Sequence, residues 1–254
     1  MPENNKTQEF LKKLAPCIER GELDACVEEA ARVAQEMSVG AGDLLELSKE
    51  ERRNDKYHFS YMIALAAAQV LEGEAKAQAY SNAGLALQCA ENIQKAEEYY
   101  QKAIDIDPKY AEAHSNYAYF LKENAMFFEA EKDVRIALQI EPDDPYDLRT
   151  YGDILADEDY LEDAIKKYHG AIKNSDSMEH PEKAEIHNNL GWVYAHLEQY
   201  NRAKKEFEEA YKLDPHNVKV IRTQICCSGT IFISGFNRYK SKKQSFLCAL
   251  YDEK

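Results

Sequence analysis

Apolar side chains recur along residues 77–217 in a fixed order, and the order repeats every 34 residues. Four blocks carry it: 77–110, 111–144, 145–178 and 184–217. The twentieth place of each block is alanine (Ala96, Ala130, Ala164, Ala203), and so is the place seven residues on (Ala103, Ala137, Ala171, Ala210). Seven residues are two helical turns, so each pair of alanines marks one face of one helix. Between them stand Tyr100, Val134, Tyr168 and Phe207. In the first half of each block the eighth place is small (Gly84, Ala118, Gly152, Gly191) and the fourth holds Tyr80, His114, Leu148 or His187. Each block therefore predicts two amphipathic helices, A and B, packed closely where their small residues face each other. Pro108, Pro142 and Pro215 close three blocks, where a proline cannot continue the preceding helix.

The pattern closely resembles the tetratricopeptide repeat, a pair of antiparallel helices of the same period. The resemblance implies an all-α fold, a right-handed α-solenoid of stacked helix pairs in which each unit buries its neighbour's face. The third block departs from the family by having Asp176 where the closing proline belongs, and Glu179 to Lys183 precede the fourth as a lengthened connection. Residues 7–40 and 41–74 carry the period more faintly. Gly21-Glu22-Leu23 falls at the inter-helix turn of the first, with Cys26, Ala30 and Val33 on the next apolar face; Tyr57, Ser60, Ala64 and Ala67 take the corresponding places in the second. Residues 7–76 thus read as two degenerate units and 77–217 as four clear ones. From residue 218 the β-branched and glycine-bearing run CCSGTIFISG breaks the pattern, leaving 218–254 as an atypical tail or cap.

In the family, places two, five, six, nine, twelve and thirteen line the inner surface. Place six here holds Asn82, Asn116, Thr150 and Asn189. An asparagine can bond both the N–H and the C=O of an extended peptide without regard to its sequence, so these side chains read as a ladder for a peptide backbone or, failing that, as solvated polar positions. Tyr119 and Trp192 occupy place nine, as anchors for an apolar peptide residue or as inter-unit packing. Arg149, Asn189 and Lys219 also fall at three places of the clamp with which tetratricopeptide co-chaperones hold the acidic end of heat-shock chaperones. Two places depart from that clamp: Asp153 stands where it has asparagine, and Thr223 where it has a basic residue.

Charge and motif content narrow the chemistry. The chain carries −14 overall, which repels nucleic-acid phosphates, although residues 218–254 hold seven basic against two acidic residues. None of the ten glycines forms a phosphate-cradling loop, no histidine stands at metal-ligand spacing, and no serine or cysteine sits on a recognisable nucleophile turn. Six cysteines are too sparse for a disulfide scaffold and imply free thiols in a reduced, cytoplasmic protein. The apolar run from Ile225 to Phe236 is short of the roughly 20 residues a membrane span needs. The expectation is a non-enzymatic scaffold or adaptor without cofactor or metal, which binds a protein or peptide partner and neither nucleic acid nor membrane. Self-association through the tail is the alternative, with a chaperone-tail-binding co-chaperone as a variant of the groove reading.

Overall fold

The computed structural model describes residues 3–19 and 23–217, and among them there are twelve α-helices and no strand. They divide into two compact units, one running to Ile140 and the other beginning at Glu141.

The first unit contains α1 (Glu3–Glu19), α2 (Leu23–Met37), α3 (Ala41–Arg53), α4 (Tyr57–Ala68), α5 (Gly73–Cys89), α6 (Ile93–Ile106), α7 (Ala111–Glu123) and α8 (Phe127–Ile140). Sequential helices pack as hairpins, α1 on α2, α3 on α4, α5 on α6 and α7 on α8, and each hairpin then packs on the next. α4 is enclosed by α2, α3 and α5, which explains why every residue from Ser60 to Ala68 is buried. Its one polar member there, Ser60, is matched across the hairpin: Ser48 Oγ donates to the Ser60 carbonyl at 2.9 Å. The residues of the faint period, 7–74, span α1 to α4; the turn at Gly21 lies outside the described residues, as does the tail from residue 218.

The second unit contains α9 (Pro145–Asp157), α10 (Leu161–Lys173), a short 3-10 turn (Ser175–Ser177), α11 (His180–His196) and α12 (Tyr200–Leu213). α9 starts where the sequence stops the chain most firmly. The Asp144 carboxylate accepts the Asp147 backbone N–H at 2.9 Å, and Pro145, whose missing donor costs nothing in a first turn, follows at once. The residues inserted before the fourth block extend a helix instead of a loop. α11 begins at His180, four residues before the block, and Glu182 reaches back to accept the Glu179 N–H at 2.8 Å.

Two regularities hold the hairpins together. A Cβ added at Gly84, Gly152 or Gly191 would come within 2.9, 2.8 or 2.6 Å of the ring of Tyr100, Tyr168 or Phe207 respectively. Where the eighth place is Ala118 instead, the facing residue is the smaller Val134. Backbone and ring therefore share one volume, divided differently in different hairpins. The second regularity lies in the turn from helix A to helix B. Asp55, Glu91, Ala125, Asp159 and Glu198 all occupy the same place of their repeats and all have φ between 59° and 70°. Each ends its helix with paired backbone bonds, for example Ala125 N–H to the Lys122 carbonyl and Met126 N–H to that of Leu121, at 3.0 and 2.9 Å. This is the left-handed helix stop usually given to glycine, here made five times without one.

The histidines at place four are structural. His114 Nδ1 lies 2.7 Å from Asp133 Oδ1 and its Nε2 lies 3.1 Å from the Pro108 carbonyl; His187 Nδ1 lies 2.7 Å from Glu206 Oε2. Both pairs tie helix A to helix B. Cys17 and Cys26 form a disulfide across the α1–α2 hairpin, with Cα atoms 5.6 Å apart. This corrects the expectation that all six cysteines are free thiols: the hairpin brings this pair within bridging reach. Cys89 is free and exposed.

Candidate functional site

Helix A of each repeat carries the side chains that the sequence singles out. In the first unit α3 packs on α5 and α5 on α7, so these three helices form one wall. Asn116, on α7, is half-buried and its Nδ2 donates to Ser81 Oγ of α5 at 3.0 Å. Asn82, on α5, is only 3% exposed, and its Nδ2 is buried with no hydrogen-bond partner. The difference lies in what the preceding repeat offers. Asn116 meets a serine hydroxyl at place five of the block before it, whereas the block before Asn82 has Leu45 there and Lys49 at place nine, neither of which has a side-chain acceptor.

Further along the same wall, Tyr119 is half-buried beneath Lys122, whose Nζ lies 4.7 Å from the ring centroid and 2.9 Å from Glu123 Oε1. Beside it the Tyr100 hydroxyl, reaching from α6, donates to Gln88 Oε1 at 2.6 Å. Burial pushes the Tyr100 hydroxyl well above the usual phenol range, and Cys89, Arg52 and Tyr119 are near enough to act on it electrostatically. Arg52 lies on α3, Gln88 and Cys89 on α5 and Tyr119 on α7.

In the second unit the polar side chains of helix A are paired with one another. Arg149 Nη1 donates to Glu185 Oε2 at 2.9 Å, Asn189 Nδ2 to Asp153 Oδ1 at 2.9 Å, and the Tyr146 hydroxyl to Glu182 Oε2 at 2.8 Å, all between α9 and α11. Asp153 also accepts from the Tyr168 hydroxyl at 2.8 Å. Burial and the bond to Glu182 raise the Tyr146 hydroxyl to about 12. Thr150, the departure from the asparagine series, turns its hydroxyl to the Tyr146 carbonyl of its own helix at 2.9 Å. Trp192 is half-buried, with its ring edge-on to Phe207 at 5.5 Å between centroids. Lys219 and Thr223 lie outside the described residues.

Asn82, Asn116 and Tyr119 are thus gathered on one wall, and Arg149, Asn189 and Trp192 on helices α9 and α11 of the other unit. Arg52 and Gln88 are additions to that set. Both stand at place twelve of their repeats, an inner place in the family, so place number alone would have singled them out. Among the described residues no three His, Cys, Asp or Glu side chains gather as a metal site, and no helix is long and apolar enough to cross a membrane.

Comparison with known proteins follows the same lines. Family models described as tetratricopeptide repeat match residues 77–110, 99–132 and 184–217. Residues 77–132 and 184–217 are thus tetratricopeptide repeats. The chain is 28% identical over 142 residues to the type IV pilus assembly protein PilF of Pseudomonas aeruginosa, a match covering 56% of this chain and 55% of that one. The chain thus spans about half the length of this curated relative. Among solved structures it resembles the Cut9–Hcn1 hetero-tetramer of the APC/C, with TM-score 0.65 and 14% identity over 79% of this chain and 40% of that one. It also resembles YrrB, described as a TPR protein with an unusual peptide-binding site, with TM-score 0.54 and 16% identity over 76% of this chain and 96% of that one. At these identities the structural likenesses speak for the all-α repeat fold.

Proposed function

We propose that the chain is a non-enzymatic adaptor that holds a segment of a partner protein against its helix-A faces. The observation that carries this reading is the repeated placement of polar and aromatic side chains at the same places of helix A. Asn116, Tyr119, Arg149, Asn189 and Trp192 are all half-buried, each with part of its surface left to solvent. Such a surface is rigid before any partner arrives, because each of these side chains is already held by a neighbour; that lowers the ordering cost of association. The descriptions of YrrB and of the Cut9–Hcn1 complex, one a peptide binder and one a hetero-complex, support a role of this kind. The chaperone-type clamp finds less support, since Arg149 is neutralised by Glu185 and Asn189 is taken by Asp153, a carboxylate that opposes another.

The test is affinity capture from the cells the protein comes from, read by mass spectrometry. The native chain is compared with an Asn82→Ala, Asn116→Ala, Asn189→Ala variant of matched thermal stability. Proteins held by the native chain and lost from the variant support helix-A binding; identical captures contradict it.

A further inference from the structure

We infer that the Cys17–Cys26 bridge is a redox latch at the start of the first unit: a dithiol reduces it, α1 parts from α2, and the apolar face of α2 is uncovered. The latch uses none of the binding places on α5, α7, α9 and α11, so it goes beyond the helix-A reading and does not depend on it.

Three observations converge on this hairpin. The first is how little else holds α1. Among the described residues it packs chiefly on α2, whereas α5 packs on α3, α4, α6 and α7. Between residues 7 and 17 the buried side chains of α1 are Phe10, Leu14 and Cys17, a single stripe at helical spacing, with Gln8, Glu9, Lys12 and Lys13 exposed on the opposite side. One of the three anchors is therefore the bridge itself. The second observation is Pro16, which stands inside α1 one residue before the bridge and has no N–H to give the Lys12 carbonyl. The end of α1 that carries Cys17 is the part its own helix supports least, and the covalent bond to α2 is placed there. The third is what the hairpin covers. Cys26, Ala30, Val33 and Ala34 make an apolar stripe on α2, all of them buried, and α1 and α4 are the helices packed on it.

Both bridging cysteines are buried, so a reductant does not reach the sulfurs of the closed hairpin. Terminal elements with one neighbour open locally far more often than the body of a fold, and such an opening is what admits the dithiol. A thiolate of the dithiol attacks one bridge sulfur to form a mixed disulfide, and the other bridge sulfur leaves as a thiolate and takes up a proton. The second thiol of the reagent then displaces the remaining cysteine, which is protonated in turn. Two electrons have passed to the bridge and the dithiol has become a disulfide. Only Phe10 and Leu14 are then left to bring α1 back onto α2. Oxidation of the two thiols, with a disulfide as the electron acceptor, closes the latch by the reverse exchange.

The test is hydrogen–deuterium exchange of the full chain, read by mass spectrometry, before and after dithiothreitol and again after reoxidation with glutathione disulfide. Iodoacetamide labelling with peptide mapping reports the state of each thiol. Without reductant, Cys89 should label while Cys17 and Cys26 do not. Reduction should speed exchange of residues 7–17 at least tenfold and that of α5 to α7 less than twofold, and reoxidation should restore the slow exchange. A chain carrying Cys17→Ser and Cys26→Ser keeps the other four cysteines and should exchange like the reduced native chain with no reductant present. If that variant does not fold, the reduced and reoxidised native chain decides alone. Labelling of Cys17 and Cys26 in the untreated chain overturns the inference, because no bridge then exists to open. Equal exchange of residues 7–17 in both redox states overturns it too, as does reduction that loosens α5 to α7 as much as α1, which would make the bridge a support of the whole unit and not a latch.

Discussion

At the scale of single residues, the chain spends its tyrosines as much on polar joints as on packing. Tyr100, Tyr117 and Tyr168 each donate or accept a hydrogen bond between helices with the ring buried, and the more exposed Tyr146 donates one as well. Burial is the first cause of the raised phenol values at Tyr100, Tyr117 and Tyr146, the last reaching about 12. In the unfolded chain these phenols ionise near 10. Between those values the unfolded chain releases protons that the folded chain retains, so stability is fully present below about pH 10 and falls as the pH rises toward 12. Urea unfolding at pH 8, 10 and 11.5 should show this loss, and a flat profile would contradict the packing of these rings. The tyrosines at place twenty-four, Tyr100 and Tyr168, announce themselves in the sequence by spacing. The orphaned amide of Asn82 does not, because it depends on what Leu45 and Lys49 fail to offer one repeat earlier.

At the scale of the helix pair, the sequence is most legible where volume is conserved. The alternation of Gly84, Ala118, Gly152 and Gly191 with Tyr100, Val134, Tyr168 and Phe207 reads directly as close approach and filling, and the contacts match it. Gly191→Ala places a methyl 2.6 Å from the Phe207 ring and is expected to cost about 1–3 kcal/mol. Phe207→Val alone leaves a cavity and costs about as much or more. Combined, they recreate the Ala118–Val134 arrangement of the second clear repeat, so their costs should be distinctly less than additive. Thermal unfolding of the two single variants and the double variant measures the coupling, and additive losses would refute the shared volume. Three features were not legible in the same way. The left-handed stops at Asp55, Glu91, Ala125, Asp159 and Glu198 lack the glycine that would mark them. The α11 extension looked like a connection, because its Pro181 and two glutamates read as a break until they are seen to cap a helix. The Cys17–Cys26 disulfide depends on a hairpin that neither cysteine specifies.

At the scale of the whole molecule, the two units use the same helix-A places differently. α9 and α11 bond to each other through Arg149–Glu185, Asn189–Asp153 and Tyr146–Glu182, with only the buried Arg149 Nε left without a partner among the described residues of these helices. The α3–α5–α7 wall leaves Arg52 and Asn82 unsatisfied. Repeat period and inner-place residues could be read from the sequence because each repeat restates them. Which inner positions remain available could not, because that depends on pairings between neighbouring repeats. The central claim is that partners are held on helix A. It is tested most directly by installing a photo-crosslinking amino acid either at Tyr119, on helix A, or at Phe128, which is 76% exposed at the start of helix B. Irradiation in lysate should attach the partner at position 119 and leave position 128 unmodified; a partner attached only at 128 would contradict the account.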